Sequence, residues 1–197
     1  MKQLIRQRIE ESVAVKNALL LDEKLLETVA SLAEAMISAI ASGGKVLLCG
    51  NGGSASDALH IAGELVGRFQ KERSAWPAIA LNADVAVMTS IANDYGYEEV
   101  FARQVAAHIR KGDLFIGLST SGDSENICAA AKTARELGGL TAAFTGKRGG
   151  RLGTMVDFSI VVPSDSTPRI QESHILIGHI LCELCELCEL AEERLSG

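Results

Sequence analysis

An α/β fold, with a parallel sheet covered by helices on both faces, is what this chain of 197 residues predicts. Three observations lead there. Five short apolar runs recur along the chain, helical patterns separate them, and the runs are apolar at nearly every position. Strands buried on both faces read that way, and parallel neighbours need long crossovers, which helices usually supply.

Taken in order, two amphipathic helices open the chain, over about 3–18 and 24–41. The second, "KLLETVASLAEAMISAIASGG", steps its apolar residues by three and four and stops at Gly43-Gly44. The strands are "KVLLCG" (45–50), "AIALN" (78–82), "DLFIGLS" (113–119), "TAAFTG" (141–146) and "FSIVVP" (158–163). Helices are expected over 55–68, 85–92, 97–110 and 124–137, the last ending at Gly138-Gly139. A closing helix runs from about Pro168 to Leu195, with proline suited to its first turn. No linker or low-complexity tract interrupts this order. One domain over 1–197 is expected: helices in 1–42, an α/β core in 43–167 and the closing helix in 168–195.

Composition removes several classes of function. Apolar residues make up 47% of the chain, yet no charge-free run approaches the roughly 20 residues of a membrane helix. The start, "MKQLIRQRIEESVAVKNALL", interleaves Glu10, Glu11 and Lys16 among apolar positions, as an amphipathic helix does and a signal peptide does not. Five cysteines without a spread-out framework fit a reducing cytoplasm. With a net charge of −6 and no basic cluster longer than "GKRGGR", neither nucleic acid nor membrane is an expected partner. A small anion is compatible with that charge, since a few aimed amides bind phosphate.

In such sheets, ligands bind beyond the carboxyl ends of the strands. Two loops there stand out, "CGNGGSAS" at 49–56 and "STSGDSEN" at 119–126, both feeding helix N-termini. Glycine admits a ligand close to the backbone, and the amides of a helix start favour a phosphate. In the second loop Ser119, Thr120, Ser121 and Ser124 supply hydroxyls for an anion; the alternative is that they only cap a helix. Gly50, Gly52 and Ala55 also satisfy G-x-G-x-x-G/A, a dinucleotide fingerprint. Its acidic partner is missing, because Glu72 precedes the next strand and Asp84 lies too far along.

His60 and Glu64, four apart, share one helix face. In "RIQESHILIGHI", Gln171 and His179 stand eight apart, about two turns along the closing helix. If that helix packs near the first loop, two imidazoles, a carboxylate and an amide oxygen form a reasonable zinc set. His108 and His174 read as surface or packing histidines. The repeat "CELCELCEL" at 182–190 advances by about 300° per step, spreading Cys182, Cys185 and Cys188 over about 120° of the helix. They are expected to pack with Leu181, Leu184, Leu187 and Leu190, leaving Glu183, Glu186 and Glu189 toward water, and not to hold an iron–sulfur cluster.

"GNGGSASDALHIAGEL", "NDYGY" at 93–97, "STSG" at 119–122, "FTGKRGG" at 144–150 and "RIQESHILIGHI" at 169–180 together resemble the phosphoheptose isomerases, single sugar-isomerase (SIS) domain enzymes. The resemblance runs in order over roughly 25–190. It implies a three-layer, flavodoxin-like SIS domain with a five-stranded parallel sheet. It implies conversion of D-sedoheptulose 7-phosphate into D-glycero-D-manno-heptose 7-phosphate through an enediolate, the first step toward the ADP-heptose of bacterial lipopolysaccharide. By position, Ser119, Thr120, Ser121 and Ser124 would hold the phosphate. Asn51, Gly52, Gly53, Asn93 and Asp94 would border the sugar, and Arg68 would help orient it. Glu64 and His179 would be the acid–base pair, and zinc (Zn2+) would lie on His60, Glu64, Gln171 and His179. The resemblance also implies a homotetramer with sites between subunits, in keeping with apolar helix faces at both ends of the chain.

Two alternatives belong to the same fold. A non-catalytic SIS-domain relative binds the replication initiator DnaA, but it resembles this chain less, lacking matches to Glu64 and His179. An amino-sugar phosphate isomerase or deaminase would share the phosphate loop and differ in contacts to the sugar.

Overall fold

The computed structural model of the chain describes residues 1–196, with side chains as far as Cys188. Helices α1 (Lys2–Leu20) and α2 (Glu23–Ala41) precede the sheet, with Asp22 capping α2 through the Leu25 amide at 3.0 Å. Strand β1 (Val46–Gly50) leads into α3 (Gly53–Val66), and β2 (Ala78–Ala80) into α4 (Val85–Tyr95). A 3-10 turn (Tyr97–Glu99) and α5 (Ala102–His108) follow, then β3 (Leu114–Ser119) and α6 (Glu125–Glu136). Strand β4 (Leu140–Gly146), α7 (Gly150–Met155), β5 (Phe158–Val162) and α8 (Thr167–Ser196) complete the chain.

All strand pairs are parallel, in the order β2-β1-β3-β4-β5. Successive residues of each strand point to opposite faces. Val46, Leu48, Leu114, Ile116 and Phe144 meet α2, α3 and α8 on one face. Leu47, Cys49, Phe115 and Ala143 meet α5, α6 and α7 on the other. The interior strands β1 and β3 are buried throughout, as their unbroken apolar runs require; β2 and β5, at the sheet edges, are half-buried. Helix α1 lies outside these layers and leaves Ile5, Ile9 and Val13 exposed.

Several elements depart from the sequence reading. The helix expected over 97–110 breaks: a 3-10 turn over Tyr97–Glu99 gives way to α5 only at Ala102, with Val100 and Phe101, both fully buried, at the junction. Helix α7, hidden in a glycine-rich stretch, starts from Gly149 in the left-handed region (φ +88°) and is anchored by buried Leu152. The cysteine repeat is only partly packed. Cys182 and Cys185 are buried, while Leu187 and Cys188 are exposed. Glu183 faces water as expected, but Glu186 is 2% exposed, because the chain after α3 folds over it and supplies amide donors. The side chains of Glu189 and Leu190 lie outside the described residues.

His174 packs as expected, fully buried, edge-on to Phe144. Its Nε2 lies 3.0 Å from the Thr145 carbonyl and so carries the proton, while Nδ1 is buried without a partner. Burial lowers its pKa from 6.5 to about 4, against the raising effect of the Thr145 bond. The unfolded chain therefore takes up the proton first, so stability is full above pH 6.5 and falls as pH drops toward 4. Urea unfolding should show this histidine withdrawing about 3 kcal/mol across that window. In His174→Gln that component disappears; an unchanged pH slope in the variant would contradict the assignment.

Candidate active site

The chain leaves β1 toward one side of the sheet and reaches β3 on the other, so a crevice opens between the carboxyl ends of these neighbours, where Gly50 pairs with Leu118. Both glycine- and serine-rich loops lie there. In the first, Asn82 grips Gly50 through both backbone groups, accepting its N–H at 3.1 Å and donating to its carbonyl at 2.8 Å. Gly52 takes φ +57°, open to a ligand, with no heavy atom within 4 Å of a would-be Cβ. Gly53 has no such room, because a Cβ there would stand 2.5 Å from Nε2 of Gln171. The closing helix thus lays Gln171 on the first loop.

In the second loop the hydroxyls converge. Oγ of buried Ser119 lies 2.9 Å from Oγ of Ser124 and 3.5 Å from Oγ of Ser121, and it accepts the Gly122 N–H at 3.2 Å. Ser124 occupies the N-cap position of α6 without a capping side-chain bond, so its hydroxyl faces the other serines. Simple capping therefore does not account for the Ser124 hydroxyl. Thr120 is half-buried beside them. Arg151 pairs with Asp123 and Glu125, donating to Glu125 at 2.7 Å, and offsets two carboxylates at the edge of the loop.

The two loops are joined by an amide pair. Asn51 donates to Asn126 at 2.9 Å, Asn126 donates back at 3.1 Å, and the Tyr97 hydroxyl donates to Asn51 at 2.9 Å. Asn51, expected to border a ligand, therefore also fixes the crevice wall. Asn126 and Tyr97 were missed as such, although both lie in stretches quoted above. Asn93 and Asp94, in the last turn of α4, are exposed and bonded to each other at 2.8 Å.

The acid–base and metal candidates do meet. Helix α3 turns Ala58, Ile61, Ala62 and Leu65 to the core, which leaves His60 and Glu64 on its flank. Helix α8 approaches closely at Gly178, where a Cβ would stand 2.6 Å from Cδ1 of Ile61. Next to it, Nε2 of His179 lies 3.3 Å from Nε2 of His60, which lies 3.0 Å from Oε1 of Glu64. The three donor groups fall within 4.8 Å of one another inside a single chain. A tetrahedron with metal–ligand bonds of roughly 2.0–2.1 Å has edges of about 3.3 Å, and the His179–His60 and His60–Glu64 separations of 3.3 and 3.0 Å lie close to such edges. Glu64 faces His60 with Oε1 alone, and Oε2 takes no hydrogen bond among the described residues.

The neighbours of this cluster were not legible as such. Phe69 stacks on His179 with centroids 5.4 Å apart and planes 25° apart. Asp57, one turn ahead of His60, buries Oδ2 without a partner, and that burial raises its carboxyl pKa despite nearby His60. Arg68 lies beyond the end of α3 and forms a 3.6 Å ion pair with exposed Glu72, so it leaves the helical line from Glu64.

The parallel sheet and its order agree with the fold of solved relatives of this chain. Residues 13–146 match the family model described as SIS domain, which makes this a SIS-domain protein. Phosphoheptose isomerases from Clostridium acetobutylicum and Burkholderia pseudomallei are similar to it, at 50% identity over 184 residues and 53% over 180. The first alignment covers 93% of this chain and 94% of that protein; the second covers 91% of each. A solved phosphoheptose isomerase from Francisella tularensis superposes with a TM-score of 0.89 at 41% identity, covering 93% of this chain and 96% of that one. One from Neisseria gonorrhoeae gives 0.88 at 38%, covering 94% and 98%. The chain belongs to the phosphoheptose isomerase family.

Proposed function

We propose that this protein isomerises D-sedoheptulose 7-phosphate to D-glycero-D-manno-heptose 7-phosphate, the first step toward the ADP-heptose of bacterial lipopolysaccharide. The observation that carries the reading is the meeting of Glu64 with His179 in one cluster within a single chain. It rests equally on relatives near 50% identity that bear the isomerase name over nearly the whole chain. The separation of a phosphate anchor from a proton-handling cluster suits a long sugar phosphate.

The substrate phosphate sits on Ser119, Thr120, Ser121 and Ser124 and on the first amides of α6, in the positive field of the helix start. Asn51, Gly52, Gly53 and Gln171 border the sugar, with Asn93, Asp94 and Arg68 at the rim. Glu64 takes a proton from C1, alpha to the C2 carbonyl. The electrons form the C1–C2 enediolate. A proton returned to C2, with loss of the C1 hydroxyl proton, leaves the C1 aldehyde. His179 moves the protons on the oxygens, and a ring N–H stabilises the enediolate charge by hydrogen bonding. The committed Oε1 and free Oε2 of Glu64 let one carboxylate both brace the cluster and act as base.

His60, Glu64 and His179, with Gln171, would hold a zinc ion. Zinc, when bound, supplies a Lewis acid that polarises the two substrate oxygens. Exposed Leu4, Ile5, Ile9 and Val13 on α1 support association with further copies, a homotetramer in which neighbours wall each site. No helix among the described residues is long and apolar enough to cross a membrane, and all five cysteines are free, which supports a cytoplasmic location.

Purified protein should convert sedoheptulose 7-phosphate, and Glu64→Gln should lower kcat by about 10²- to 10⁴-fold with unchanged circular dichroism. Full turnover in that variant would remove Glu64 from the base role. Failure of the parent protein to turn over this substrate would sink the reading itself. Elemental analysis of the same preparation should find about one zinc per chain, lost in His60→Ala. Equal zinc in both proteins would exclude His60 as a ligand.

A further inference from the structure

Glu186 stands seven residues beyond His179, so α8 presents both on nearly the same face, two turns apart. Every contact of its buried carboxylate runs to the irregular segment that follows α3. Oε1 accepts from the Phe69 N–H at 2.8 Å and Nε of Arg73 at 3.2 Å; Oε2 accepts from the Gln70 and Lys71 N–H groups, each at 2.9 Å. Burial alone would raise its pKa, but these amides and the guanidinium outweigh it and hold the carboxyl below the usual range.

Arg73 completes the link. Its side chain is 4% exposed, lies over the Trp76 ring at 3.5 Å and donates to the Glu64 carbonyl at 2.8 Å and the Leu65 carbonyl at 3.0 Å. Those carbonyls lie in the last turn of α3, where no intrahelical donor is available. One ion pair therefore joins the helix that carries His60 and Glu64 to the helix that carries His179. The segment it fastens also brings the Phe69 ring onto His179.

A buried ion pair is a weak source of net stability, because desolvation cancels much of its attraction. Three consecutive amides committed to one carboxylate fix the backbone at Phe69, beside the imidazole. We propose that the Arg73–Glu186 pair is a positioning device for His179, holding Phe69 against its ring and setting the α3–α8 spacing at which it meets His60 and Glu64. The proposal rests on the isomerase reading, in which His179 carries a proton. It adds two positioning residues and an aromatic wall to that site.

The test uses the full-length protein with Glu186→Gln, which keeps the shape and removes the charge, and Phe69→Leu, which leaves the ion pair intact. Each should lower kcat on sedoheptulose 7-phosphate by about tenfold or more while KM stays near the parent value, since the phosphate loop is untouched. With only four histidines in the chain, ring signals from 13C-histidine labelling are assignable by comparison with His179→Gln. The His179 signal should move in both variants and the His108 signal in neither. A folded Glu186→Gln protein with parental kcat and an unmoved His179 signal, its only change a lower Tm, would overturn the proposal. If Glu186→Gln does not fold, Phe69→Leu decides by the same two readings. If the parent protein shows no isomerisation, the functional reading fails, and the His179 signal alone decides the positioning claim.

Discussion

The close approach of α3 to α8, possible because Gly178 has no side chain where Ile61 packs, is the contact on which the site depends. Two His/Glu positions on the first crossover helix and one histidine far along the chain have no chemistry in common until these helices touch. At that distance the imidazoles of His60 and His179 face each other at 3.3 Å with the Glu64 carboxylate beside them. Any added atom at residue 178 would push against Ile61, which belongs to the main core. The geometry of the cluster and the packing of the core are therefore a single constraint.

The sheet supplies the other half of the design. Its order places β1 and β3 side by side, so two loops separated by some seventy residues share one crevice. An acidic net charge does not preclude the proposed phosphate site there, because what matters is local: clustered hydroxyls, the start of α6, and Arg151 paired with Asp123 and Glu125. The Asn51–Asn126 pair locks the two loops together and fixes the wall of the crevice. An enediolate mechanism needs that fixity, since the carbon that loses its proton is at the far end of the substrate from the phosphate.

Much of this was legible in the sequence, for physical reasons. The strands of a parallel sheet are apolar on both faces, and all five were visible as runs; the two loops at the crevice were visible as glycine- and serine-rich stretches after such runs. His60, Glu64 and His179 were visible only as residue types at helical spacing, and their convergence depended on packing that no local pattern encodes. Glu186 was misread for the same reason. A charged residue on an exposed repeat reads as solvated unless one knows that Phe69, Gln70 and Lys71 turn their amides toward it. Helix α7 was hidden by its glycines, and the break before α5 carries no glycine or proline between Tyr97 and Ala102 to mark it.

If α3 and α8 make one catalytic unit, Glu64 and His179 depend on each other. A double-mutant cycle on kcat/KM, with Glu64→Gln, His179→Gln and both together, measures that dependence directly. The account predicts strong non-additivity, the double variant being within about tenfold of the more damaged single one. Losses that simply multiply would show two groups acting independently and would contradict it.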